Sequence, residues 1–115
     1  MAGVVRLEEF RVRRRRRPAV VYFSRQELDQ LLSLYSRRVA TGEWRDYAID
    51  HAAGCAFFSV FRHSYDRPLF SIAKRLRSDG KSTEFLLLAG HRQIASDGKL
   101  PSLLKRFEKK IKIVS

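Results

Sequence analysis

The chain of 115 residues has one cysteine, three prolines and no apolar run of the roughly 18 residues that a membrane-spanning helix needs. With Cys55 alone, no disulfide can form within the chain, so a reducing compartment is expected. The first residues lack the apolar stretch of a signal peptide, which argues against export. These absences lead us to expect a cytoplasmic protein without a membrane span.

Familiar catalytic and metal-binding patterns are also missing. The sequence contains no glycine-rich phosphate loop, no Gly-x-Ser-x-Gly elbow and no His-Glu-x-x-His motif. His51, His63, His91 and Cys55 do not have the spacing of zinc ligands. We therefore expect no enzyme, no catalytic residue, no cofactor and no metal site.

Positive charge is abundant and unevenly placed. Lysine and arginine outnumber aspartate and glutamate by 24 to 12, and the net charge is +12. Residues 1–18 hold seven arginines against two glutamates, residues 19–68 are balanced, and residues 69–115 hold eleven basic against four acidic residues. An excess at the two ends fits an anionic partner better than a charge that serves solubility alone.

The N-terminal excess comes from one block of arginines. Its members are Arg11, Arg13, Arg14, Arg15, Arg16 and Arg17. Such a block cannot fold on itself, because like charges repel and no apolar burial offsets the entropy lost on ordering. We predict a disordered basic arm over residues 1–18, followed by a single domain over residues 19–115.

The domain begins with the strongest local signal in the chain. A short β-prone run at residues 19–23 precedes Ser24 and Glu27, which have the spacing of a capping box. Leucines then recur at helical spacing, and Gly42 is placed to end the helix in a left-handed turn. The pattern predicts a helix over about Arg25–Thr41.

Strand patterns fill the middle of the domain. Apolar and aromatic residues alternate with polar ones from Trp44 onward, and Gly54, Pro68 and the pair Asp79-Gly80 separate the segments. The predicted strands are 44–51, 55–62, 69–76, 85–89 and a short fifth over 93–95.

The last segment predicts an amphipathic helix. Its apolar residues share one arc, namely Leu100, Leu103, Leu104, Phe107, Ile111 and Val114. Its basic residues lie on the opposite side or its flank, namely Lys105, Arg106, Lys109, Lys110 and Lys112. We predict an α+β fold in which an antiparallel meander of four to five strands carries an N-terminal and a C-terminal helix on one face.

Four segments carry a family resemblance: Phe23–Leu28, Leu34–Tyr35, Gly42–Asp50 and Phe58–Arg62. Together they resemble a family of short alphaproteobacterial proteins catalogued only as a domain of unknown function. The resemblance spans about residues 20–115, and the segment Gly42–Asp50 is its most specific part. It implies a bacterial cytoplasmic origin and supplies no catalytic residues.

Two nucleic-acid-binding folds are worth comparison. A double-stranded-RNA-binding domain has the order helix, three strands, helix, whereas this chain predicts at least four strands. The aromatic run around Phe57, Phe58 and Phe61 is similar to the base-stacking strand of an RRM, but the order of helices and strands differs. We expect these three phenylalanines to lie in the core.

The segment Trp44–Asp50 is the densest polar and aromatic cluster outside the arm. On a strand, Asp46 and Asp50 share one face and lie about 13 Å apart, which is too far for a shared proton. We expect Trp44 and Tyr47 to fill the junction between helix and sheet, with Arg45 paired to an acid. The alternative is a contact site for a partner or ligand, formed by Trp44, Arg45, Asp46 and Asp50.

Two functions of different class follow. The first is a small, non-enzymatic accessory protein that contacts nucleic acid electrostatically through the arm and the basic side of the last helix. The alternative is a protein-interaction module whose charge serves solubility. An enzyme would need a pocket that gathers Asp46, Asp50 and a histidine. The sequence does not determine the oligomeric state.

Overall fold

The computed structural model of the protein describes residues 20–63 and 67–114. The predicted arm lies outside these residues. The elements, in chain order, are α1 (Arg25–Ala40), β1 (Asp46–Ala52), β2 (Cys55–Phe61), β3 (Phe70–Leu76), β4 (Thr83–Ala89), β5 (Arg92–Asp97) and α2 (Leu100–Val114). The five strands form one antiparallel sheet in the order β1-β2-β3-β4-β5. The predicted α+β meander is confirmed.

Both helices pack on the same face of the sheet. Register places Phe58 between Ile49 and Ile72, and Ile72 opposite Leu87, so an apolar row crosses the sheet. Leucines from both helices join that row in one buried cluster, and they are Leu31, Leu34, Leu100, Leu103 and Leu104. This arrangement confirms the prediction that two helices cover one face.

The capping box starts α1 and also ties it to the sheet. Ser24 Oγ accepts a hydrogen bond from the Glu27 amide at 3.1 Å, and Glu27 Oε1 accepts one from the Ser24 amide at 2.7 Å. The same Oε1 lies 2.8 Å from Lys74 Nζ on β3. The helix ends at Ala40, and Gly42 has the left-handed φ of +80° that the sequence predicted.

The β-prone run before α1 does not join the sheet. Within the described part of it, Val21 and Phe23 are buried whereas Val20 and Tyr22 are exposed. Its alternation therefore reflects an extended segment that packs two side chains into the core. Lys74 Nζ donates a hydrogen bond to the Tyr22 carbonyl at 2.9 Å and holds the segment on β3.

Two tight turns set the strand boundaries. The turn between β1 and β2 contains Ala53 at φ +51° and Gly54 at φ +76°. In the hairpin between β3 and β4, Asp79 Oδ1 accepts hydrogen bonds from the amides of Lys81 and Ser82 at 2.8 and 3.0 Å. Because this turn is compact, β4 begins at Thr83, two residues before the predicted start.

Phe107 joins α2 to the rest of the core. Its ring stacks on Trp44 with the centroids 5.7 Å apart, and it meets Phe70 edge-on at 4.9 Å. Tyr47 in turn lies 4.8 Å from Tyr35 on α1. As predicted, Trp44 and Tyr47 lie at the junction of helix and sheet.

Replacing Phe107 with alanine should destabilise the fold by about 3–5 kcal/mol, because a buried aromatic ring is lost and a cavity remains. The matched control, Lys105→Ala on the exposed side of the same helix, should stay within about 0.5 kcal/mol of the wild type. Urea denaturation followed by circular dichroism measures both. Equal stability of the two variants would show that the Phe107 contacts do not support the fold.

Candidate nucleic-acid interface

The outer side of α2 presents basic side chains to solvent. Lys105, Lys109 and Lys110 are exposed, and no described acidic group lies within 4 Å of any of them. Arg106 is partly engaged, because it donates to the Ser96 carbonyl and lies 3.5 Å from an Asp97 carboxylate oxygen. The side chain of Lys112 lies outside the described part of the chain. Three of the five predicted basic side chains on this helix are therefore exposed and free of described ion pairs.

The single acidic residue of α2 is directed away from these lysines. Glu108 Oε2 lies 3.2 Å from Arg37 Nη2 and 3.8 Å from Arg38 Nη2, and both arginines are in the last turn of α1. This carboxylate therefore links the two helices. Arg37 and Arg38 also lie at the negative end of the α1 dipole, where cations stabilise a helix.

Other acidic side chains are also engaged within the fold. Glu27 pairs with Lys74 at 2.8 Å, Glu84 with Arg75 at 2.6 Å, and Glu43 with Arg38 at 3.1 Å. Each pair lies away from the outer side of α2. Most acids in the described ranges therefore pair with other basic groups, and the charge of these lysines is not neutralised by a nearby carboxylate.

The arm contributes the rest of the predicted contact residues. Arg11, Arg13, Arg14, Arg15, Arg16 and Arg17 all lie outside the described residues. Their role in binding stays a prediction that rests on the sequence.

The alternative contact site for a partner or ligand has one buried and three exposed side chains. Trp44 is only 2% exposed because it stacks under Phe107. Arg45, Asp46 and Asp50 are exposed, and the expected pairing of Arg45 with an acid is not found among the described residues. Asp46 and Asp50 share one face, as predicted, and it is the face opposite the helices, since they pair with Phe61 and Phe57 in the register of β1 and β2. The burial of Trp44 supports its structural role.

The prediction that Phe57, Phe58 and Phe61 all lie in the core is wrong for two of them. Phe58 is in the core, but Phe57 and Phe61 are only half-buried and lie on the face that no described helix covers. Alternation along β2 separates them from Phe58, because neighbouring residues of a strand point to opposite faces. Ser59 lies between them on β2 and pairs with Ser71 on β3, and the hydroxyls of the two serines are 2.8 Å apart.

An open cleft lies where α1, β1 and β2 meet. It has a volume of about 550 Å³. It is lined by Val39, Gly42, Trp44, Arg45, Arg62 and His63. We call it the Arg45–Arg62 cleft.

Sequence reasoning placed Arg45 in a weak contact set and missed Arg62 and His63. A signal was present, because a two-residue turn at Ala53-Gly54 fixes the register of the β1-β2 hairpin. That register ends at the pair Asp46 and Phe61, so Arg45 and Arg62 lie next to the same end of the hairpin.

The described ranges contain neither a cluster of metal ligands nor a helix that could span a membrane. Residues 20–63 and 67–114 contain no group of three or more His, Cys, Asp or Glu side chains that could hold a metal ion. Within the same ranges, neither helix is both long and apolar enough to cross a membrane.

Glu43 borders the Arg45–Arg62 cleft and is strongly held. The Thr41 hydroxyl, which donates to Glu43 Oε2 at 2.7 Å, is the main cause that lowers the pKa of this carboxyl. Hydrogen bonding and charge from Arg38 lower it further, and so does the charge of Arg62, although burial acts in the opposite direction. The carboxylate therefore stays ionised and stabilises the turn after α1.

The contribution of the Glu43 carboxylate to the free energy of unfolding should depend on pH. A carboxyl whose pKa is lowered by folding stabilises the native state above its unfolded pKa of 4.5, and this contribution is lost as the pH falls through the lower folded value. Glu43→Gln should therefore be less stable than the wild type at pH 7, and the difference should shrink at pH 3. Urea denaturation at the two pH values measures it. A difference of equal size at both would contradict the assignment.

Comparison with known proteins gives one match. A family model described as "Protein of unknown function (DUF2794)" matches residues 21–102, which is more than half of the chain. The match ends in the first turn of α2, so the basic part of that helix lies beyond it, as does the arm. It is thus shorter at the C-terminal end than the resemblance over residues 20–115. No curated protein and no solved structure matches the chain. The chain belongs to the DUF2794 family, whose members are proteins of unknown function.

Proposed function

We propose that this protein is a non-enzymatic accessory protein that contacts nucleic acid electrostatically through the outer side of α2 and the arginines of the arm. One observation carries the proposal. Lys105, Lys109 and Lys110 are exposed without a described acidic partner, while Glu108, the acid beside them, is held by Arg37 and Arg38 of α1. The helix therefore offers positive charge to the solvent.

The physical basis is the release of counterions. Each phosphate that a lysine or arginine neutralises releases condensed cations, and binding to duplex DNA then weakens with salt by about 0.9 log units per phosphate. Lysine acts as a point charge on a flexible stem, so it recognises the backbone and not the base sequence. The proposal is accordingly one of affinity without sequence specificity.

The helix dipole offers a simpler explanation for these lysines, but it covers only some of them. Cations are favourable in and next to the last turn of a helix, which Lys109 and Lys110 precede directly, and the effect fades beyond that turn. Lys105 is the sixth residue of a helix that spans Leu100–Val114, so it lies in the N-terminal half. Its exposure therefore supports a role outside the fold.

A cytoplasmic location is part of the same proposal. The lone Cys55 is half-buried and unpaired, which suits a reducing compartment. Nucleic acid is accessible there to a basic protein.

The alternative function, a protein-interaction module, is favoured by a different surface. Phe57 and Phe61 are half-buried on the face that no described helix covers, and the exposed Asp46 and Asp50 lie across from them on β1. Aromatic residues flanked by charge are typical of protein interfaces. The nucleic-acid proposal ranks first because it accounts for the charge at both ends of the chain.

Replacing Lys105, Lys109 and Lys110 together with glutamine should weaken binding to duplex DNA. The plot of log affinity against log salt should become less steep by about 2 to 3, because three phosphates lose their partners. Fluorescence anisotropy with a labelled duplex over a range of salt concentrations measures both the affinity and the slope. All variants are made in the full chain.

The control must lose the same charge elsewhere. Arg25, Lys81 and Arg92 are exposed and lie outside α2, so their triple glutamine variant should keep most of the slope. A further variant, with the six arginines of the arm replaced by glutamine, measures the contribution of the arm. Equal losses in the α2 variant and its control would reduce the effect to net charge and overturn the proposed interface.

A further inference from the structure

We propose that the Arg45–Arg62 cleft is a binding site for a phosphate monoester group. This site is separate from the outer side of α2 and does not depend on the nucleic-acid proposal. It is built from the start of β1, the end of β2 and the turn after α1, and it is open to solvent.

Two arginines line the cleft from neighbouring strand ends. The paired register of β1 and β2 ends at Asp46 and Phe61, and the Arg45 amide donates to the Phe61 carbonyl at 2.8 Å, which holds Arg45 at this end of the hairpin. Arg62 follows Phe61 directly, so both arginines border the same space. Like charges that share one cleft repel each other, and a bound anion would reduce the repulsion.

No described acid fills that role. Neither arginine has a described carboxylate within 4 Å. Glu43, in the turn after α1, is engaged by Arg38 at 3.1 Å and by the Thr41 hydroxyl at 2.7 Å. It is near enough for the charge of Arg62 to lower its pKa, but it forms no ion pair within 4 Å with Arg45 or Arg62.

The recognising groups are side chains and not the backbone. Around the turn, the amides of Gly42 and Glu43 donate to the carbonyls of Val39 and Arg38, both at 2.9 Å, so they do not point into the cleft. The same hydrogen bonds satisfy carbonyls at the end of α1, which would otherwise repel an anion. Binding must therefore depend on Arg45, Arg62 and His63, which makes it open to test by substitution.

The chemistry of the donors selects the ligand class. A guanidinium group offers a planar fork that binds two oxygens of a phosphate or carboxylate at once. Two such forks carry a charge of about +2, which matches a phosphate monoester at about −1.5 to −2 near neutral pH better than a carboxylate at −1. The imidazole of His63 and the apolar surface of Val39 border the same space. They leave room for the group that the phosphate is attached to.

The test is an NMR titration of the full ¹⁵N-labelled chain at constant ionic strength. Inorganic phosphate should cause saturable shifts in the amide signals of Gly42, Arg45, Arg62 and His63. Acetate should bind more weakly. Because these signals are read residue by residue, phosphate bound by the arginine arm does not mimic the result.

Substitutions then distinguish phosphate binding at the cleft from a general attraction of phosphate to a basic protein. Arg45→Gln and Arg62→Gln each remove one exposed fork and should weaken phosphate binding by about tenfold. The matched control is Arg92→Gln on β5, at the opposite edge of the sheet, which should leave it unchanged. Equal losses in all three variants, the absence of saturation, or acetate binding as tight as phosphate would overturn the proposal.

Two further probes identify the source of the phosphate. Adenosine 5′-monophosphate binding more tightly than inorganic phosphate would indicate a small phosphorylated ligand. A 5′-phosphorylated oligonucleotide binding more tightly than its 5′-hydroxyl counterpart, at the same cleft signals, would indicate a nucleic-acid end. Either result supports the site. The triple lysine variant of α2 should leave the cleft signals unchanged, so failure of the nucleic-acid proposal and failure of this one are distinguishable.

Discussion

The packing of Phe107 between Trp44 and Phe70 is the contact on which the rest of the structure depends. A helix that carries one apolar arc and one basic arc can place only one of them against a sheet. The Phe107 contact fixes which arc is inside, so the lysines must face the solvent. It also buries Trp44 at the start of β1, which sets the position of Arg45 and thus of the cleft.

The charge on the surface follows from how the fold uses its acids. Glu27, Glu43, Glu84, Asp97 and Glu108 all pair with basic groups and link elements or stabilise turns. A chain with twice as many basic as acidic residues then has basic groups left over. Within the described ranges these include the three lysines on the outer side of α2 and the two arginines of the Arg45–Arg62 cleft, while others, such as Arg25, Lys81 and Arg92, are spread over other elements. Only on α2 and in the cleft do such groups share one surface that the proposals use.

Much of the fold could be predicted because its signals are local. Ser24 and Glu27 indicate where α1 begins, Gly42 indicates where it ends, and the apolar arc of α2 shows which side is buried. The structure of the run before α1 was harder to predict, because an extended segment and a strand share the same alternation of buried and exposed residues. Phe57 and Phe61 were assigned to the core on composition, whereas alternation along β2 sends them to the other face. The cleft was missed because Arg45 and Arg62 are 17 positions apart, and only hairpin register brings them together.

The central claim is that the outer side of α2 is the surface that meets a polyanion. The most direct measurement is the map of amide signals that shift when a short duplex DNA is added to the full ¹⁵N-labelled chain. The account predicts that, in the described part of the chain, the largest shifts fall on α2 around Lys105–Lys110. Shifts concentrated instead on Asp50, Phe57 and Phe61 of the other sheet face, with α2 unchanged, would contradict it.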